Sequence, residues 1–228
     1  MSVFVVVPSF NEAENIGRLV RTLREADASL QLILVDDGSP DGTAQLARDM
    51  STGDIEVIER EGKQGLASAY VCGFKRALER GATRVVQMDA DLSHDPMDVP
   101  RLLERDADLV IGSRYVPGGG TRNWPLSRRL LSRFGSRWSR AWLGLNYKDL
   151  TGGFKAWRAS ALETALSQPV SSEGYAFQVE MSWRIHCAGL TIEEVPIVFT
   201  EREDGVSKMN QSIALEAAWL IPSLRWRR

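Results

Sequence analysis

Hydrophobic and polar positions switch between two periods along the first half of this chain. Val3-Phe4-Val5-Val6-Val7 is an unbroken apolar run rich in β-branched residues, as expected of a strand buried on both faces of a parallel sheet. Pro8 ends it, and Asn11 is placed to cap a helix running to about Ala26. Leu32-Ile33-Leu34-Val35 reads as a second strand and Ile55 to Ile58 as a third. Val85-Val86-Gln87-Met88 makes a fourth and Leu109-Val110-Ile111-Gly112 a fifth. Between them the apolar positions fall at helical spacing. Thr43 to Met50 is a short helix, and Gly65 to Arg80 a longer one with Leu66, Ala69, Tyr70, Gly73, Ala77 and Leu78 on or beside one face. This alternation predicts an α/β fold built on a parallel, doubly wound sheet.

The strand ends carry the candidate chemistry. Three of them run into Pro8, Asp36-Asp37 and Asp89-Ala90-Asp91. Right-handed crossovers bring such ends to one edge of the sheet, where open α/β folds bind ligands. Asp89 and Asp91 are spaced i, i+2, which in extended backbone puts both carboxylates on the same side. Carboxylates that close repel unless a cation sits between them, and hard divalent ions prefer oxygen ligands. The expectation is a Mg2+ or Mn2+ site holding a phosphorylated substrate. A solvated acidic turn is the alternative for the Asp-x-Asp alone, and the convergence of three strand ends argues against it. No Gly-x-Gly-x-x-Gly follows the first strand and no Gly-x-x-x-x-Gly-Lys-Ser/Thr occurs, which disfavours dinucleotide and P-loop folds.

Composition narrows the class further. A chain of 228 residues, 43% hydrophobic and 25% charged, suits one soluble domain with a sizeable core. A net charge of -2 excludes a broadly basic nucleic-acid binder. Two cysteines, Cys72 and Cys187, imply neither a disulfide framework nor a zinc cluster, and point to a reducing compartment. Met1-Ser2-Val3-Phe4 lacks the basic start and long apolar stretch of a signal peptide. No window approaches the roughly 18 apolar residues of a membrane span. The expected location is cytoplasmic, with any membrane contact peripheral.

The second half departs from simple alternation. Thr121 to Arg158 contains Arg122, Arg128, Arg129, Arg133, Arg137, Arg140, Lys148, Lys155 and Arg158, with Asp149 as its only acid. Trp124, Trp138, Trp142 and Trp157 are interleaved. A basic helix beginning near Leu126 with Trp and Leu on its other side reads as a membrane-surface element. The alternative is a solvated helix that packs its tryptophans into the core. The segment 217–228 repeats the aromatic and basic theme; it is too short to span a bilayer, but could rest on one or dock onto a separate membrane protein. His94 and His186 suggest no Ser-His-Asp or Cys-His arrangement.

Several of these stretches together carry a resemblance. Pro8-Ser9-Phe10-Asn11-Glu12, Val35-Asp36-Asp37-Gly38-Ser39-Pro40-Asp41-Gly42-Thr43 and Asp89-Ala90-Asp91 resemble the nucleotide-sugar motifs of family 2 glycosyltransferases. Gly65-Leu66-Ala67-Ser68-Ala69-Tyr70, Asp91-Leu92-Ser93-His94, Gly112-Ser113-Arg114-Tyr115 and Gly205-Val206-Ser207-Lys208 narrow it to the dolichol- or polyprenol-phosphate mannose synthases. Processive polysaccharide synthases carry Gln/Arg-x-x-Arg-Trp, and here Pro222 stands where that motif needs Gln or Arg before Arg225-Trp226.

The resemblance implies a GT-A-type, Rossmann-like, mostly parallel sheet with amphipathic interface helices in the second half. It implies a single domain over 1–228, with a nucleotide-sugar-binding half (about 1–115) and an acceptor and membrane-interface half (about 116–228). The implied reaction is inverting transfer of mannose from GDP-mannose to a polyprenyl monophosphate at the membrane surface. Asp89, Asp91 and Ser93 would hold the metal, with Ser93 the weakest contact because some relatives carry a longer amide there. Asp37 would meet the nucleoside and Glu12 its ribose or base, with Pro8, Phe10, Val35 and Ala90 around the donor. Arg202 and Lys208, on a loop from Thr200 to Lys208, resemble the family's late basic pair and would close over the diphosphate. Arg114 would serve donor and acceptor, and Arg114, Arg128 and Ser132 the acceptor phosphate. The rivals are transfer from UDP-glucose or another UDP-sugar on the same fold, and a non-catalytic module recruiting partners through its basic face.

Overall fold

The computed structural model describes residues 2–201 and 221–225. Its strands are β1 (Val3–Ser9), β2 (Gln31–Asp36), β3 (Ile55–Glu59), β4 (Arg84–Gln87), β5 (Leu109–Ser113), β6 (Gly120–Arg122), β7 (Lys155–Arg158), β8 (Ile192–Pro196) and β9 (Val198–Thr200). The helices are α1 (Ala13–Ala26), α2 (Thr43–Asp49), α3 (Leu66–Glu79), α4 (Val99–Leu103), α5 (Leu126–Leu143), α6 (Ala159–Ala165) and α7 (Gly174–Cys187). Seven strands form one sheet in the order β3-β2-β1-β4-β7-β5-β8, and β6 pairs with β9 in a small parallel ribbon.

The first four strands of that order are parallel, as the alternating pattern requires. β7 is the exception: it lies between β4 and β5 and runs antiparallel to both. Two successive reversals return β5 to the direction of β4, so the mostly parallel sheet keeps its carboxyl edge. Strand alternation sends Val5, Val7, Leu32, Leu34 and Val86 to one face, against α1, α2 and α4. Phe4, Val6, Ile33, Val35 and Trp157 go to the other, against α3, α6 and α7. A third cluster joins Leu143, Leu145, Leu150, Val179 and Trp183 to Ile221 and Leu224.

Local details correct three expectations. Asn11 does not cap α1: it sits in the left-handed region at φ 56, and its N–H donates to the Ser39 hydroxyl at 2.9 Å. Asp41, from the loop after β2, instead accepts from the N–H of Ala13 at 3.0 Å and from Thr43 N–H and hydroxyl, serving the starts of both α1 and α2. β4 ends at Gln87, so Asp89 and Asp91 lie in the loop beyond it, which turns at Ala90 and Asp91, and not in the strand. Lys155 and Trp157 belong to a buried central strand, not to the basic helix.

Candidate active site

The carboxyl ends of β3, β2, β1 and β4 lie side by side, and polar contacts join them. Asp36, fully buried, accepts from the Ser9 hydroxyl at 2.8 Å, the Ser39 hydroxyl at 2.6 Å and the Ser39 N–H at 2.8 Å. Those bonds occupy it in shaping the loop. Asp37 turns the other way and meets Arg60 from beyond β3, with Nη2 at 2.5 Å and Nε at 2.6 Å. Arg60 also donates to the Ser68 hydroxyl at 2.7 Å, so this ion pair ties β2 to the start of α3. Glu12 is buried and accepts from the Asn15 side chain at 2.8 Å. Phe10 carries the Lys63 ammonium over its ring at 3.8 Å.

Past β4 the chain folds back on itself, with Leu92 in the left-handed region at φ 58. Asp89 is held twice: the Tyr70 hydroxyl donates to its Oδ1 at 2.8 Å, and its own N–H donates to His94 Nδ1 at 3.3 Å. Asp91 accepts the Ser93 N–H at 3.0 Å. His94 is buried, stacked on Phe154 at 5.0 Å and edge-on to Phe199 at 5.1 Å. Burial lowers its pKa against the opposing pull of Asp89 and Asp91, keeping the imidazole neutral. Burial and the charge of Asp89 push the Tyr70 phenol well above its usual value, so it stays a donor.

Among the described residues no three carboxylate, imidazole or thiolate side chains gather to hold a metal ion by themselves. The available set is two carboxylates from Asp89 and Asp91, with the Ser93 N–H bonded to Asp91, and His94 Nδ1 is already engaged. An oxygen-only, incomplete set fits Mg2+ or Mn2+, which bind through one or two carboxylates and complete their shells with water and substrate phosphates.

The carboxyl end of β5 contributes a second group. Arg114 is buried against Asp149, with Nε to Oδ2 at 2.6 Å and Nη2 to Oδ1 at 2.6 Å. Its Nη2 also donates to the Thr151 hydroxyl at 3.1 Å, which lies 3.5 Å from the Ser132 hydroxyl and 3.3 Å from that of Ser136. Burial acts to lower the Arg114 pKa, and the facing charge of Asp149 overrides it and raises the value. The guanidinium groups of Arg114 and Arg128 lie 5.2 Å and 4.4 Å from the ring centre of Trp124. Trp124 packs edge-on to Phe199 at 5.1 Å. Arg128 pairs with Glu201. The β6–β9 ribbon links the two groups, since Thr200 N–H donates to Ser93 O at 3.1 Å and Glu201 N–H to Arg122 O at 3.0 Å.

Residues 4–166 match the model of the family described as glycosyl transferase family 2. The chain belongs to glycosyl transferase family 2. A polyprenol monophosphomannose synthase of Mycolicibacterium smegmatis is 44% identical over 223 residues, covering 95% of this chain and 84% of the relative. An undecaprenyl-phosphate mannosyltransferase of Micrococcus luteus is 46% identical over 230 residues, covering 99% and 94%. Among solved structures, glucosyl-3-phosphoglycerate synthase from Mycobacterium tuberculosis in complex with phosphoglyceric acid has a TM-score of 0.74 at 19% identity, covering 99% of this chain and 80% of that one. A complex of the same enzyme with Mn2+, uridine diphosphate and glucosyl-3-phosphoglycerate has a TM-score of 0.73 at 20% identity, with the same coverage. At these identities the structural likeness carries the GT-A-like fold.

Within this glycosyltransferase, Pro8, Phe10, Glu12, Asp37, Asp89, Ala90, Asp91, Ser93 and Arg114 all lie at the carboxyl edge of the sheet or in the loops leaving it. Val35 sits one residue inside that edge with its side chain fully buried in the core. Arg128 and Ser132 face the Arg114 group from α5. Arg202 and Lys208 lie outside the described residues. Sequence reasoning passed over Arg60, Tyr70, His94 and Asp149. Asp149 had one available signal, as the lone acid in a basic stretch; a partner for it was to be expected, though not which arginine.

Proposed function

We propose that this glycosyltransferase transfers mannose, with inversion, from GDP-mannose to a polyprenyl monophosphate at a membrane surface. The observation that carries this reading is the near-full-length identity to two enzymes named for polyprenyl-phosphate mannosylation. The site's chemistry agrees with it. The acceptor oxygen belongs to a phosphate already anionic at neutral pH, so no strong general base is required. His94, the one histidine at the site, is buried, neutral and engaged with Asp89 N–H.

In this reading Asp89 and Asp91, with Ser93 as a third contact, hold Mg2+ or Mn2+. When bound, the ion would neutralise charge developing on the leaving diphosphate. Asp37 and Glu12 receive the nucleoside, Pro8, Phe10 and Ala90 surround it with Val35 behind them in the core, and Arg202 and Lys208 cover the diphosphate and exclude water. Arg114, Arg128 and Ser132 receive the acceptor phosphate. Arg128 must exchange Glu201 for that phosphate, and its buried Nε has no hydrogen-bond partner to lose.

The membrane assignment rests on α5. Leu126, Leu130, Leu131, Phe134 and Trp142 are exposed along it, and its charged residues are five arginines with no acid. Among the described residues no helix is long and apolar enough to cross a membrane. An apolar stripe flanked by arginines suits the interface of an anionic bilayer. The two halves of the chain would then work as one unit, donor on one side and lipid on the other.

A panel of radiolabelled nucleotide sugars with polyprenyl phosphate tests the proposal. Label from GDP-mannose should enter the organic phase, and chelation of divalent ions should abolish the transfer. Label entering only from a UDP-sugar would replace the donor assignment. No transfer from any donor would leave the non-catalytic recruitment module.

A further inference from the structure

Tyr70 has no role in the reaction as described so far, yet its hydroxyl is the one side-chain donor to Asp89 among the described residues. It comes from α3, which is seated against the sheet with no slack: a Cβ on Gly73, one turn on, would lie 2.3 Å from Val6 Cγ1. The Tyr70 ring is fully buried and stacked between Phe74 at 5.6 Å and Phe177 at 5.9 Å. Helix, ring and hydroxyl are therefore fixed relative to the end of β4. Asp89 lies in the loop beyond that strand, its side chain 36% exposed.

We propose that Tyr70 is a positioning residue for the divalent ion, its hydroxyl holding Asp89 Oδ1 so that Oδ2 is the oxygen presented to the metal. This rests on the metal reading given under the proposed function. A carboxylate ligand loses rotamer freedom when it binds an ion, and a hydrogen bond made beforehand removes part of that cost. Partners of this kind behind a metal ligand typically change affinity by about 10–100-fold when removed.

Tyr70→Phe keeps the stacked ring and deletes only the hydroxyl, so it separates positioning from packing. Mn2+ binding to purified protein, followed by electron paramagnetic resonance with GDP present, should weaken by about tenfold or more. Transfer should fall at limiting Mn2+ and recover towards the wild-type rate at saturating Mn2+. In an Asp89→Ala background the same substitution should leave Mn2+ affinity where it was. Unchanged Mn2+ affinity in Tyr70→Phe, whatever its melting temperature does, overturns the inference while leaving the metal site standing. Wild-type protein that binds no Mn2+, or binds it as tightly after Asp91→Ala, overturns the metal reading and this inference with it.

Discussion

Arg114 and Asp149 are locked together by two parallel hydrogen bonds of 2.6 Å each, and Asp149 Oδ2 also accepts the backbone N–H of Arg114 at 2.9 Å. Both side chains are buried. The pair sets the guanidinium plane that faces Trp124 and Thr151. It therefore belongs to the architecture of this end of the sheet as much as to its charge.

Breaking one partner of a buried pair leaves the other charge uncompensated. Asp149→Asn should cost about 3–5 kcal/mol of unfolding free energy, measured by urea denaturation. A loss within about 0.5 kcal/mol, the usual range of neutral surface changes, would show that Arg114 finds other partners. Arg114→Lys should not rescue function, because a lysine cannot make the forked contact.

Asp91→Ala should abolish mannose transfer with little change in melting temperature. Asp91 shapes its turn through the Ser93 N–H, so some local loosening is expected, but the core clusters do not depend on it. Wild-type turnover with unaltered metal dependence in the purified variant would remove Asp91 from the site.

Arg128→Ala should raise KM for a short, water-soluble prenyl phosphate while donor affinity stays the same. Its pairing with Glu201 adds a second arm. If carboxylate and phosphate compete for one guanidinium, Glu201→Gln should lower that KM. Equal KM values in all three proteins, with only vesicle binding reduced in Arg128→Ala, would make Arg128 a membrane contact.

Replacing Leu130 and Phe134, 57% and 62% exposed on α5, by serine should weaken co-sedimentation with anionic vesicles. Turnover on the soluble acceptor should be untouched. Retained vesicle binding would move the membrane contact elsewhere on the surface.

Lys155 predicts a pH dependence of stability. It is fully buried, donating to Gln178 O at 2.7 Å and the Ser182 hydroxyl at 3.0 Å. Burial pushes its pKa down to about 7, against the opposing charge of Asp149. Between that value and the ordinary lysine range the unfolded chain holds a proton that the folded chain has released, so stability rises with pH. Below about 7 the cost of a buried charge is fully present. Lys155→Met should thus be more stable than wild type at pH 6, and the gap should narrow on raising the pH to 9, as read by urea denaturation. A gap that does not change with pH would show that Lys155 keeps its ordinary pKa.

The α/β alternation, the parallel strands and the gathering of Pro8, Asp36-Asp37 and Asp89-Asp91 at one edge were legible in the sequence. They follow from local periodicity and from the handedness of crossovers, which act over short stretches of chain. The division of labour between Asp36 and Asp37 was not legible, since identical side chains one residue apart are told apart only by Ser9, Ser39 and Arg60. Nor was the antiparallel β7, whose four residues gain their place from neighbours more than 40 positions away on each side. Tyr70 looked like one more apolar contact of an amphipathic helix, and Arg128 was expected at the acceptor phosphate without the carboxylate it pairs with. Their partners, Asp89 and Glu201, lie 19 and 73 residues distant. A pattern along the chain reports which face of an element is buried; only the packed sheet decides which groups meet across it, because those contacts are set by long-range geometry that no local period encodes.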